Sequence, residues 1–327
     1  MNNFRWGILG TGGIAREFVE DLSLAGGHSV TAVGSRTFGK ANDFIANISG
    51  ATAHGNYRDL VNDANVDAIY VATPHPMHAE HAVLALNAGK PVLCEKPFAM
   101  SAYEAEIIVN TARANKVALL EAMWTRYLPH IAHVRHILAS GLLGPIQSVE
   151  ADHGQRLADQ NIARLVDPAL GGGALLDLGI YPVSFAHLVL GTPFSIIASS
   201  VMTDRKVDAQ TSAIFNYAGG AQAIITTSMI AQTPCRAVVS GLLGRLEIDR
   251  TFYAPASMRV ILFDGEIIEY PVNYVGHGLR EQAIEMARVV RAGDLESPLM
   301  PWSETIAVMK TMDAIRNQIG LVYPFES

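Results

Sequence analysis

Three groups of residues in this 327-residue chain have the types and spacing to do chemistry. Gly10-Thr11-Gly12-Gly13-Ile14-Ala15 is a G-x-G-x-x-A run between a strand pattern and a helix pattern. Gly10 permits a tight turn, Gly12 lets the backbone approach a pyrophosphate, and Ala15 keeps the helix close to the sheet. The helix start offers N–H groups and the positive end of its dipole to phosphate. The second group, Gly34-Ser35-Arg36-Thr37, ends the next strand, where an acid would hold a ribose 2′-hydroxyl; no acid is present. Arg36 can instead fork onto a 2′-phosphate, with Ser35 and Thr37 donating to it, so the expected cofactor is NADP, with NAD as the alternative. Lys40 is a weaker candidate for the same phosphate. The third group is Lys96, at the carboxyl end of a strand, with Asp177 and Tyr181, four apart and therefore on one helix face. Ligands of open α/β sheets gather at strand carboxyl ends, which suits the lysine.

The elements that must position these groups change rhythm along the chain. Strand patterns at Phe4–Leu9, His28–Gly34, Asp67–Thr73, Pro91–Cys94 and Val117–Glu121 alternate with helix patterns at Thr11–Leu24, Lys40–Ile48, His78–Ala88 and Ser101–Asn115. Such alternation predicts a doubly wound parallel sheet of the Rossmann type. Ser101 followed by Glu104 is a capping box. After about Trp124 the strands lengthen: Ile146–Ala151, Ile196–Met202, Ala209–Tyr217, Ala221–Ser228, Arg236–Ser240, Arg245–Asp249, Met258–Phe263 and Glu266–Tyr270. Ala218-Gly219-Gly220 and Asp264-Gly265 are hairpin signals between them. Helix patterns cover Pro129–Ala139, Gly173–Leu190, Gly278–Ala292 and Ser303–Ile319. The fold class is therefore α/β: a Rossmann domain over residues 1–123, then an α+β domain with a largely antiparallel open sheet over residues 124–327.

Several motifs converge on one family: Ala72-Thr73-Pro74-His75, Glu95-Lys96-Pro97, Glu121-Ala122-Met123-Trp124-Thr125-Arg126-Tyr127, and the stretch from Gly171 to Pro182 that contains Asp177 and Tyr181. Over nearly its whole length the chain resembles the glucose–fructose oxidoreductase / inositol dehydrogenase / rhizopine-catabolism (Gfo/Idh/MocA) oxidoreductases, and within them the dimeric dihydrodiol dehydrogenase and D-xylose 1-dehydrogenase branch. The resemblance implies that Thr73, Pro74, His75, His78, Glu95 and Lys96 join Gly10 to Ile14 in holding the cofactor. It also implies a cis Lys96–Pro97 peptide and a Lys96 that reaches the nicotinamide ribose and the substrate hydroxyl. Where the family's inositol dehydrogenases have Asp and His, this chain has Asp177 and Tyr181. A phenol titrates near about 10, and a neighbouring ammonium favours its ionised form. The implied chemistry is that Tyr181, assisted by Lys96, takes the proton from a substrate hydroxyl while hydride leaves for the nicotinamide. Asp177 orients the lysine or the substrate, and the proton acceptor is Tyr181 or Lys96. Trp124 and Arg126 fall where the chain crosses between domains and are candidates to line the substrate cleft, the indole packing on a sugar or diol ring or between domains. His153, also a candidate substrate contact, stands where many relatives carry an aromatic residue. The substrate class is a sugar, a polyol or a cyclic trans-diol.

The bulk composition narrows the alternatives. Formal net charge is −7 and charged residues make up 17% of the chain, which opposes a nucleic-acid footprint and docking on an anionic membrane. The apolar runs read as broken well before the ~20 residues a membrane span needs, and Met1–Gly10 lacks a signal-peptide pattern. With two cysteines, Cys94 and Cys235, the chain is neither a disulfide scaffold nor a zinc cluster, and a reducing cytoplasm fits. His75, His78 and His81 approach metal-ligand spacing without a completing carboxylate or thiol, so no metal is expected. Two rival functions use the same fold. One is an NAD-dependent glycoside hydrolase, which would keep the acid that the second strand lacks. The other is a non-catalytic dinucleotide sensor, against which the joint presence of Lys96, Asp177 and Tyr181 speaks. Ile224, Thr226 and Ser228 alternate with Ile225, Thr227 and Met229, so both faces of one strand are apolar, and a homodimer or homotetramer through the C-terminal sheet is expected.

Overall fold

Strand β1 (Phe4–Leu9) is buried along almost its whole length, as a central parallel strand covered on both faces must be. The computed structural model describes residues 3–157 and 162–325. From β1 the chain alternates through α1 (Gly13–Leu22), β2 (His28–Gly34), α2 (Phe38–Ile45), β3 (Thr52–His54), α3 (Tyr57–Val61), β4 (Ala68–Val71), α4 (His78–Asn87), β5 (Val92–Glu95), α5 (Ala102–Asn115) and β6 (Leu119–Ala122). The six strands form one parallel sheet in the order β3-β2-β1-β4-β5-β6. β3 and α3 escape a periodicity reading because they are three and five residues long, too short to display a repeat. At α5 the Ser101 hydroxyl accepts from the Glu104 N–H (3.3 Å) as the capping box requires, but the Glu104 carboxylate reaches the Met100 N–H (2.9 Å) rather than that of Ser101.

After α6 (Pro129–Ser140) come β7 (Ile146–Gly154), α7 (Ala163–Val166), α8 (Ile180–Leu190), β8 (Ser195–Met202), β9 (Asp208–Asn216), β10 (Gln222–Ser228), β11 (Ala237–Gly241), β12 (Gly244–Ile248), β13 (Met258–Leu262) and β14 (Ile267–Tyr270). They make an eight-stranded sheet in the order β14-β13-β12-β11-β7-β10-β9-β8. Only the β7–β10 pair in it is parallel. One face is covered by α8, and Ala223, Ile225 and Thr227 on β10 point into that core. The segment Pro168–Leu190 is apolar and long enough to cross a bilayer by composition, contrary to the short-run reading of the sequence, but 83% of its most apolar window is buried in the protein. It is the core helix of this sheet.

The chain ends with α9 (Arg280–Ala292) and α10 (Trp302–Ile319). The compact units are Met1–Tyr127 with Val275–Ile306, and Leu128–Tyr274 with Ala307–Ser327. They differ from the expected division at residue 123 because the chain returns to the first unit. Asp21, buried in α1, accepts from the N–H groups of His277 (2.7 Å), Gly278 (3.1 Å) and Arg280 (2.8 Å). Trp302 Nε1 donates to Leu119 O at the end of the first sheet (2.8 Å).

Candidate active site

In the first unit the glycine run sits at the carboxyl edge of the sheet. Gly10 has φ +110°, and a Cβ there would lie 2.7 Å from Ala72 O, so the turn admits glycine alone. Its N–H donates to Gly34 O (3.1 Å), tying the turn to the end of β2. Gly12 caps α1 with no side chain bonded to the helix start, and nothing lies within 4 Å of a Cβ built on Gly13. The α1 terminus, with Thr11 and Ile14 half-buried around it, is thus an open cradle into which a pyrophosphate fits. Ser35 is buried at the end of β2 with its N–H on His54 O (3.1 Å), while Arg36 and Thr37 are exposed beside it. Burial raises the Tyr57 phenol and lowers His81, and the Arg36 charge pulls both down. The Tyr57 and His81 rings meet edge-on, centroids 4.6 Å apart. Arg36, Tyr57 and His81 therefore share one corner of the sheet edge, and the last two lack any local sequence signal.

The Lys96–Pro97 peptide is cis, as the resemblance implies. His78 locks the turn that contains it: Nδ1 lies 2.8 Å from Pro97 O and Nε2 2.8 Å from Thr73 O. Burial pushes His78 down to about 4 against the pull of these carbonyls. The neutral ring then has one proton for two carbonyls, and the other carbonyl faces a nitrogen lone pair. His78 thus donates to one of these two carbonyls and packs between them. His81 Nδ1 meets Thr73 Oγ1 at 3.0 Å, and His75, following Pro74, packs against His78 with ring centroids 5.7 Å apart. Glu95 is buried between two donors, Tyr70 Oη (2.5 Å) and the Lys96 N–H (3.1 Å), so it positions the turn from which half-buried Lys96 extends. Glu121, buried at the end of β6, accepts from Thr305 Oγ1 (2.8 Å), and burial pushes it up to about 7. In the 3₁₀ turn Trp124–Tyr127, Trp124 is half-buried, whereas the Arg126 guanidinium is buried and paired with Glu304 (2.8 Å). That ion pair joins residues far apart in the chain and was not readable from the motif.

In the second unit the wide turn Leu175–Gly179 is a π-helix that runs into α8. Pro182 accounts for it: proline has no N–H for Leu178 O, and its ring crowds that carbonyl. His153 supplies a donor in its place, Nδ1 to Leu178 O at 3.2 Å. Gln155 Nε2 donates to His153 Nε2 (2.9 Å) and to Tyr253 Oη (2.9 Å), so the imidazole proton resides on Nδ1. His153 stacks on Tyr253 (4.0 Å), and Tyr181 lies 4.6 Å from Tyr253 and 5.2 Å from His153, ring centre to ring centre. Burial raises the Tyr253 phenol, which stays protonated. Asp177, on the wide turn, accepts from Arg164 at 2.6 Å; Arg164 is 49% exposed and Asp177 7%. A Cβ on Gly179 would press on Leu175 and Thr227, so the glycine keeps this turn against β10. The second unit thus brings His153 and Tyr181 together with Gln155 and Tyr253, and pairs Asp177 with Arg164. Cys94 is buried, with its thiol pushed up, and is no nucleophile.

Comparison with known proteins agrees with this geometry. Residues 4–123 match the oxidoreductase family model with the NAD-binding Rossmann fold, and residues 131–247 match the GFO/IDH/MocA C-terminal domain. A D-xylose 1-dehydrogenase (NADP(+)) of Hypocrea jecorina is 36% identical, over 98% of this chain and 93% of its own. A trans-1,2-dihydrobenzene-1,2-diol dehydrogenase of Danio rerio is 35% identical over 99% of both chains. Among solved structures, a 3-ketoreductase of Actinomadura kijaniata in complex with NADP and TDP-benzene superposes with a TM-score of 0.85 at 29% identity, covering 97% of this chain and 98% of that one.

Proposed function

Because the chain belongs to the Gfo/Idh/MocA oxidoreductase family, we propose that it is an NADP-dependent dehydrogenase acting on a secondary alcohol of a sugar, polyol or cyclic trans-diol. What supports this is that the chain carries a cofactor cradle with Lys96 on the turn after β5 in one unit, and Asp177 on the wide turn with Tyr181 at the head of α8 in the other. A sensor needs only the cradle. Residues 10 to 14 hold the pyrophosphate, and Arg36 with Ser35 and Thr37 holds the 2′-phosphate, where an NAD-retaining hydrolase would carry an acid. The bound cofactor supplies the nicotinamide that accepts or returns hydride. Tyr181, held as the phenolate by the charge of Lys96, takes the hydroxyl proton and becomes the neutral phenol, and Asp177, charge-paired with Arg164, orients the substrate hydroxyls. Trp124 and His153 complete the substrate contacts. The test is a panel headed by D-xylose and trans-1,2-dihydrobenzene-1,2-diol with NADP or NAD, read by cofactor absorbance. Reduction of NADP by a panel member is expected. NADP binding without turnover would favour the sensor, and glycoside cleavage with no net change in cofactor would favour the hydrolase.

We also propose a homodimer through the open face of the eight-stranded sheet. Ile197, Ile214 and Ile224 pair across β8, β9 and β10 in one row and are 63%, 38% and 43% exposed. A second copy would cover this row isologously. Both cysteines are free, which supports a reducing cytoplasmic setting.

A further inference from the structure

The first residue of the wide turn meets a carboxyl with no part in proton transfer. Asp208, the first residue of β9, is fully buried between Val207 and Ala209, which belong to an apolar cluster with Leu165, Ala174, Leu178 and Met229. Its Oδ2 accepts from the Leu175 N–H (2.8 Å), the first residue of the wide turn, and from Thr211 Oγ1 (2.8 Å). Its Oδ1 has no hydrogen-bond partner among the described residues. Gly173, two residues before the turn, has φ +118°, and a Cβ there would overlap Asp208 Oδ1, so the chain is shaped to admit this carboxyl. A buried carboxyl in an apolar pocket is costly unless it is bonded, and burial pushes Asp208 up to about 7. What it secures is the start of a short, wide turn that no side chain of its own caps.

We propose that Asp208 is a positioning residue for the reaction: by holding the Leu175 N–H from β9, it sets where Asp177 stands on the turn and Tyr181 in the helix that follows it. The inference rests on the proposed roles of those two residues. A shift at Leu175 is carried along the helix, because Asp177 and Tyr181 follow it by two and six residues, and misplacing a reacting group by about 1 Å can cost about 10²-fold in rate. The cofactor cradle belongs to the other unit and is untouched by the substitution.

The experiment compares Asp208→Ala, Asp208→Asn and Tyr181→Phe in the full-length protein, reading kcat, the KM for substrate and the NADP Kd, with circular dichroism and Tm confirming that each variant is folded at the assay temperature. Asp208→Ala is expected to lower kcat at least tenfold with the NADP Kd unchanged. Asp208→Asn keeps an acceptor oxygen for Leu175 and is expected to recover kcat to within threefold of the wild type. If Asp208→Ala does not fold, Asp208→Ser, still polar but too short to reach Leu175, takes its place with the same expectation. A folded Asp208→Ala or Asp208→Ser with kcat within twofold of the wild type overturns the proposal, as does an Asp208→Asn no better than the truncation. Undiminished turnover in Tyr181→Phe would overturn the functional reading instead, so the two failures are told apart.

Discussion

The role proposed for Arg36 in cofactor choice can be probed by a single substitution. Arg36→Ala should weaken NADP binding by about 1.5–3 kcal/mol, the range for a hydrogen bond to a charged group, and leave NAD nearly unchanged. Titration of both dinucleotides checks it, and tighter wild-type binding of NAD than of NADP would remove the 2′-phosphate reading. Lys96→Ala and Tyr181→Phe should each lower kcat by at least ~10², the lower end for acid–base groups. The double variant should be little worse than the worse single one if the pair acts as a unit. Full turnover in Tyr181→Phe would leave Lys96 as the proton acceptor. Glu121 gives a stability signature instead. Its folded value of about 7 lies above the ordinary 4.5, so the folded state binds the extra proton. The stabilisation from Glu121 is then complete below pH 4.5, is lost as pH rises through 7, and changes no further above that. Glu121→Gln should therefore be more stable than wild type at pH 8 by on the order of 2 kcal/mol, with little gain at pH 4. Denaturant melts at the two pH values would show whether that difference exists.

At the scale of elements, the site depends on backbone irregularities that side chains elsewhere hold in place. Pro182 cannot donate to Leu178 O, His153 and the Ile180 N–H serve that carbonyl instead, and Asp208 holds the turn's first N–H. On the first sheet, His78 bridges the end of β4 to the turn after β5, and Glu95 bonds the Lys96 N–H. Pro182→Ala restores the missing N–H and allows a regular α-helix through this point. Its Tm should be equal to or above that of wild type, while kcat falls about tenfold or more, because Tyr181 leaves the position the wide turn gives it. A Pro182→Ala enzyme with wild-type kcat would show that the wide turn has no bearing on the reaction.

For the whole molecule, the exposed isoleucine row on the open sheet is the surface a second copy would cover. Ile224→Glu places a charge at one end of that row, and desolvating it would oppose association. Light scattering at micromolar concentration should report about twice the 35.1 kDa chain mass for the wild type and the chain mass for Ile224→Glu. A wild-type particle of single-chain mass would end the dimer proposal. The substitution should leave the fold intact, because Ile224 is exposed whereas its neighbours Ala223 and Ile225 fill the core.

Everything that depends on local pattern was determined by the sequence itself. The glycine run between strand and helix, the missing acid before Arg36, the parallel-to-antiparallel change of rhythm, and the four-residue spacing of Asp177 and Tyr181 are statements about neighbours, and neighbours set turns and periodicity. The tertiary structure decided whatever depends on residues far apart in the chain. Asp21 brings 275–306 back to the first unit by bonds across more than 250 positions, Glu304 takes the guanidinium of Arg126, and Tyr253 stacks on His153 and takes the Gln155 amide across 98 positions. Asp208 meets Leu175 across 33 residues. Each of these is a buried polar group seeking a partner. Burial makes such partnering obligatory, but nothing in the local sequence says which distant atom will satisfy it.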